Sequence, residues 1–105
     1  MADPYQIDRT SAILRPSGEL DINARDDLRE AIVGALRAHT TVTVDLTEVS
    51  FIDSEALGAL IDGYNEAVAL GAGYRVVGAG GSVARVLTVS GAQALFDGAP
   101  EAGGS

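Results

Sequence analysis

The chain has 105 residues, 47% of them hydrophobic, and its 15 acidic against 7 basic residues leave a formal net charge of −8. Every cation is an arginine, cysteine is absent and His39 is the only histidine; this excludes lysine Schiff bases, a Walker-type phosphate lysine, thiolate nucleophiles and Cys/His zinc sites within one chain. The acidic balance disfavours nucleic acid and anionic membrane surfaces, no apolar run approaches the roughly 18 residues of a membrane-spanning helix, and Met1 to Tyr5 carries no basic region followed by an apolar stretch, so the expectation is one cytoplasmic domain.

In chain order, Tyr5 to Asp8 and Ala12 to Pro16 read as a strand pair around the polar Asp8 to Ser11, and Ser17-Gly18 reads as a turn. Leu28, Ala31, Ile32, Ala35 and Leu36 recur at helical spacing, which predicts a first helix over 24–38 with Asp26 and Asp27 in its first turn, Arg37 in its last, and Asp21 or Asn23 as its cap. His39 is expected as a solvated residue at that helix's exit. Thr41 to Leu46 alternates, with Val42, Val44 and Leu46 on one face, and predicts a strand near the sheet centre. Thr47-Glu48 reads as a turn, and Val49, Phe51 and Ile52 lead into Asp53. Leu57, Leu60, Ile61, Tyr64 and Val68 predict a second helix over 54–70, closed by Gly71-Ala72-Gly73. Tyr74 to Val77 is a further core strand, Gly78 to Gly81 a tight loop with a cap at Ser82, and Val83, Val86 and Leu87 open a third helix. Ala94-Leu95-Phe96 is expected as a last strand. Residues 98–105 are too rich in Gly and Ala to order themselves and are expected as a flexible tail on a domain spanning 1–97. Strands alternating with helices make the class α/β.

The chemistry-bearing residues concentrate in Asp45 to Gly58. Asp53 is a natural N-cap, and Ser54 and Glu55 fall in the first helical turn, where free N–H groups favour negative charge. Gly58 inside a helix costs roughly 0.5–1 kcal/mol relative to Ala, a cost that a close backbone approach would explain. Asp21, Asn23, Asp45 and Asp53 at strand ends invite a magnesium reading, but capping and turn roles account for all four, so no metal and no cofactor are expected. Gly78 to Val83 follows a strand and opens a helix, yet lacks the third glycine of a dinucleotide fingerprint, and is read as a turn.

These residues carry a resemblance. Gly18-Glu19-Leu20-Asp21, Val44-Asp45-Leu46, the stretch Val49 through Gly58, and Gly73-Tyr74-Arg75-Val76-Val77, continuing to Leu95-Phe96, resemble the STAS domain family of anti-sigma-factor antagonists. The family's pattern Asp-Ser-Ser/Thr-Gly-Leu/Val-Gly stands here as Asp53-Ser54-Glu55-Ala56-Leu57-Gly58. The resemblance implies a mixed four- to five-stranded sheet with helices mainly on one face, here without the family's C-terminal helix, acting as a binding module and not as an enzyme. It implies a serine-kinase-type anti-sigma factor as partner, met through Asp21, Asn23, Asp53, Ser54, Glu55, Ala56 and Gly58. Glu55 falls at the phosphoacceptor position of the pattern and has no hydroxyl, so the resemblance implies lost switching more than mimicry of a phosphoserine; Ser54 points about 100° away from it along the helix. An accessory subunit of a lipid transporter or signalling complex is the alternative, and a receiver-like phosphotransfer protein lacks its lysine.

Overall fold

The computed structural model describes residues 5–99. Its organising element is a long strand, β2 (Ile13–Leu20), reached from β1 (Tyr5–Thr10) through a two-residue hairpin turn at Ser11-Ala12, with Ser11 at φ 57°. β1 pairs antiparallel with β2 from Ile13 to Gly18. The other edge of β2 is shared by two strands that follow one another. Its first half pairs in parallel with β3 (Thr41–Asp45) and its second half with β4 (Glu48–Ile52). β5 (Gly73–Val77) pairs in parallel with β3, which puts β3 inside the sheet as its alternation predicts.

The step between β3 and β4 is built by Asp45. Its carboxylate accepts from the Thr47 amide at 3.0 Å and the Thr47 hydroxyl at 2.5 Å, and the Leu46 amide donates to the Val77 carbonyl at 2.8 Å. The Thr47 hydroxyl and amide, with Arg15 beyond them, hold the Asp45 carboxyl below its ordinary range. Gly78 packs against this step at φ 78°, and a Cβ there would lie 2.3 Å from the Thr47 hydroxyl oxygen and 2.6 Å from the Asp45 carboxylate. The loop after β5 is therefore a packing device, as its turn reading implies.

The helices α1 (Ile22–Ala38), α2 (Ser54–Leu70), α3 (Gly81–Val89) and α4 (Ala92–Asp97) complete the described chain. The sheet side bearing Leu14, Pro16, Leu20, Val42, Val44 and Tyr74 is buried, whereas the alternating Arg15 and Arg75 are exposed. One cluster joins that side to Leu28 and Ile32 of α1, Leu57 and Leu60 of α2, Leu87 of α3 and Phe96 of α4. The Tyr74 hydroxyl donates to the Leu60 carbonyl at 2.8 Å in the interior, and burial drives its pKa far upward.

The sequence-based expectations meet this fold with several corrections. The turn expected at Ser17-Gly18 lies inside β2, where Gly18 at φ 85° takes up a register shift. Helix α1 starts at Ile22, so Asp26 and Asp27 fall beyond its first turn. Glu48 to Ile52 is a strand, not a turn and lead-in. Helix α3 is capped at Gly80 without a side-chain bond, so Ser82 lies inside it, and Val68, placed on the core stripe of α2, is 52% exposed.

The segment expected as a last strand, Ala94-Leu95-Phe96, lies instead within α4, so the described chain ends in a short helix that packs on the core, against the expectation that a C-terminal helix is missing. Of the expected tail, the Gly98 amide donates to the Ala94 carbonyl and Ala99 packs against the core, while 100–105 lie outside the described residues.

Candidate functional site

The register of β2 and β4 determines what the site contains. Leu20 pairs with Ile52, so Asp21 and Asp53, each one residue further on, stand side by side, and the Asp53 amide extends the ladder to the Leu20 carbonyl at 3.0 Å. Both aspartates are extended, and both cap the helix that follows. Asp21 accepts from the Asn23 amide at 2.9 Å, and Asp53 from the Ala56 amide at 2.9 Å. Asp21 is thus the cap of α1, and Asn23 is its second residue. Each carboxylate satisfies amides that have no partner inside the helix and places negative charge at the positive end of its dipole.

Replacement of Asp53 by alanine is expected to lower stability by about 0.5–2 kcal/mol through loss of this cap, read as a shift of the urea midpoint. An unchanged midpoint would show that Asp53 serves only as a contact for a partner.

Paired strand ends bring the first turns of α1 and α2 together. Asn23, Ser54 and Glu55 are exposed there, and Asp21, Asp53 and Gly58 are partly so. Ala56 differs from the other expected contact residues: its side chain is fully buried in the core, so it shapes the turn and cannot itself meet a partner. Two large apolar side chains flank the edge, with Ile22 54% exposed directly after Asp21 and Phe51 45% exposed two residues before Asp53. A Cβ on Gly58 would meet no atom within 4 Å, so no close approach from within the described chain accounts for that glycine.

Arg25 is the site residue that the sequence reading missed. It is the fourth residue of α1, and its guanidinium Nη1 donates to Glu55 Oε2 at 2.8 Å across the seam between α1 and α2. Its Nε donates to Asp26 Oδ1 at 3.2 Å. The hydrogen bond to Glu55 first, then that to Asp26, raises the arginine pKa above its ordinary value. Two turns further into α2 the pattern repeats, with Arg29 Nε 3.5 Å from Asp62 Oδ2. A signal did exist in the sequence: a cation near the start of a helix opposes the dipole and calls for an acidic neighbour.

Other candidates lie elsewhere. Asp45 is engaged by Thr47 at the β3–β4 step, and among the described residues no group of three or more His, Asp or Glu is arranged to hold a metal. His39 is the C-cap of α1, at the opposite end of the helix from the site, and is partly buried. No described helix is long and apolar enough to cross a membrane.

A mixed sheet whose neighbouring parallel strands deliver two capped helix starts to one exposed edge is the frame of the candidate site. The STAS domain model matches residues 2–102, and the chain belongs to the STAS domain family. Its fold is that of anti-sigma factor antagonists. The anti-sigma factor antagonist SpoIIAA in its unphosphorylated form is 26% identical over 83% of this chain and 80% of its own, with a TM-score of 0.68. An anti-sigma factor antagonist from Mycobacterium paratuberculosis is 26% identical over 88% of this chain and 80% of its own, also at 0.68. The Bacillus cell fate determinant SpoIIAA in its phosphorylated form shares the fold at 24% identity, covering 87% of this chain and 86% of its own, with a TM-score of 0.64. No curated protein sequence matches the chain.

Proposed function

We propose that this chain is an anti-sigma factor antagonist, a binding module without catalysis that engages a serine-kinase-type anti-sigma factor through the edge where α1 and α2 begin. The observation that carries the reading is the pairing of Asp21 with Asp53 by the Leu20–Ile52 register, which gathers the two capping carboxylates and Glu55 beside the exposed Ile22 and Phe51. Such an edge fits a partner that offers basic groups around an apolar pocket, with apolar anchors at the centre and charges governing the encounter. The likeness to the solved antagonists supports the choice of partner.

Glu55 occupies the phosphoacceptor position of the resemblance, and a carboxylate has no hydroxyl to esterify. The site accordingly works outside a phosphorylation cycle. Purified chain incubated with ATP and each kinase-type anti-sigma factor of its own genome is expected to bind one of them and to take up no phosphate. The Glu55→Ser variant is expected to gain phosphate at residue 55, mapped by mass spectrometry. Phosphate on Ser54 of the unaltered chain would overturn the assignment. Absence of binding to every anti-sigma factor would favour an accessory role in another assembly, the reading that Glu55 itself favours.

A further inference from the structure

We propose that Arg25 fixes the regulatory state of this edge: it shares its one positive charge between Glu55 and Asp26 and so lowers the charge that Glu55 presents, which keeps the edge nearer to an unmodified hydroxyl side chain than to a phosphorylated one and permanently competent to bind. The proposal rests on the antagonist reading above and specifies how that site is set.

Three observations lead to it. The first is the geometry, in which one guanidinium nitrogen lies 2.8 Å from Glu55 Oε2 while the other contact of Arg25 goes to its chain neighbour Asp26. A phosphoserine carries roughly −1.5 to −2 charges and a lone carboxylate −1, and a carboxylate that shares one guanidinium with Asp26 presents less than that −1. Glu55 in its pair therefore lies further from a phosphorylated side chain than its bare charge implies.

The second is where Arg25 sits. A cation in the fourth position of α1 lies at the positive end of the helix dipole, and α1 carries no acidic residue in its first turn to offset it. The Asp21 cap offsets the dipole itself, and Glu55, from the neighbouring helix, joins Asp26 in facing the cation directly. The side chains of Arg25 and Glu55 are 41% and 47% exposed, so the pair contributes little to folding and its effect falls on whatever meets the surface.

The third is the second ion pair along the seam. Arg29 and Asp62 lie one turn beyond Arg25 and two turns beyond Glu55, so the same charge pairing continues along the seam, while the buried Leu28, Ile32, Leu57 and Leu60 hold the two helices in the register that keeps Arg25 opposite Glu55. Gly58 leaves open space between the two pairs. A partner settling over this seam meets two closed ion pairs and a bare backbone. Were Arg25 absent, a partner whose basic groups are already matched to the capping aspartates would have to strip water from a carboxylate left without a counter-charge, which opposes binding.

The test measures affinity, by calorimetry, for the anti-sigma factor that binds the unaltered chain. Arg25→Gln is expected to weaken binding about three- to tenfold, the scale of one uncompensated charge at an interface rim, and the Arg25→Gln/Glu55→Gln double variant to recover most of that loss. The loss is expected to shrink between about 50 mM and 500 mM salt, a response that a purely steric role would not give. Urea midpoints of each variant confirm that both fold.

Equal binding by Arg25→Gln and the unaltered chain, or a double variant no better than the single, would overturn the proposal. So would an unaltered chain that fails to bind while Glu55→Ser binds, since Glu55 would then act as a phosphoserine in spite of Arg25. If neither the unaltered chain nor Glu55→Ser binds any anti-sigma factor, the antagonist reading itself fails and the proposal falls with it.

Discussion

Replacement of Phe96 by alanine is expected to lower stability by about 3–5 kcal/mol. Phe96 is 5% exposed and meets Tyr74 edge to face, with ring centroids 6.2 Å apart and planes at 71°. Tyr74 in turn reaches into α2 through its bond to the Leu60 carbonyl, so the aromatic pair joins α4 to β5 and, through β5, to the helix that presents the site. A six-residue helix has little stability of its own, and the buried ring is what holds α4 in place. Urea unfolding measures the loss. Phe96→Leu, which keeps most of the volume, is expected to cost less than about 1.5 kcal/mol. If Phe96→Ala unfolds within about 1 kcal/mol of the unaltered chain, α4 is an ornament on a core complete without it.

The same segment shows where sequence reasoning stops. Ala94-Leu95-Phe96 is an apolar run too short for periodicity to separate strand from helix. What decides for helix is contact: Gly91 at φ 84° breaks the chain direction after α3, the Ser90 hydroxyl receives the Ala92 amide, and Phe96 finds Tyr74. Strand β4 was hidden for a related reason. Its buried residues, Val49 and Ile52, are three apart because the pairing with β2 shifts between Gly18 and Glu19, so no clean alternation is visible.

The features written locally were legible. Asp53 as a cap, the bounds of α2 and the central strand from Thr41 all follow from residues within a few positions of one another. The caps at Asp21 and Asp53 could be named one at a time, but that they stand beside each other depends on a pairing between residues 32 apart, Leu20 and Ile52. The Arg25–Glu55 contact lies behind that pairing, at a separation of 30 residues: the cation near the start of α1 signals locally that an acidic neighbour is wanted, but not which one.

Three helical glycines carry the second prediction, because the structure gives them opposite signs. A Cβ added to Gly63 would lie 2.6 Å from Ile32 Cγ2 and 2.6 Å from the Tyr74 hydroxyl, which is the oxygen bonded to Leu60. None of these atoms is free to yield: Ile32 and Tyr74 are both essentially inaccessible to solvent, and shifting the phenol breaks a buried hydrogen bond. Gly63→Ala is therefore expected to destabilise by about 1–3 kcal/mol, even though alanine is the better helix former by roughly 1 kcal/mol. Gly34 in α1 and Gly58 in α2 have nothing within 4 Å of such a Cβ, and Gly34→Ala and Gly58→Ala are expected to raise stability by about 0.5–1 kcal/mol. Urea midpoints of the three variants give the signs directly. A stabilising Gly63→Ala would mean that α1 and α2 can move apart at their crossing, and the register that keeps Arg25 opposite Glu55 would then be soft. A Gly58→Ala variant that gains stability yet loses affinity for the anti-sigma factor would place the partner's backbone or side chain directly over that residue, supplying the reason for a helical glycine that the fold itself does not require.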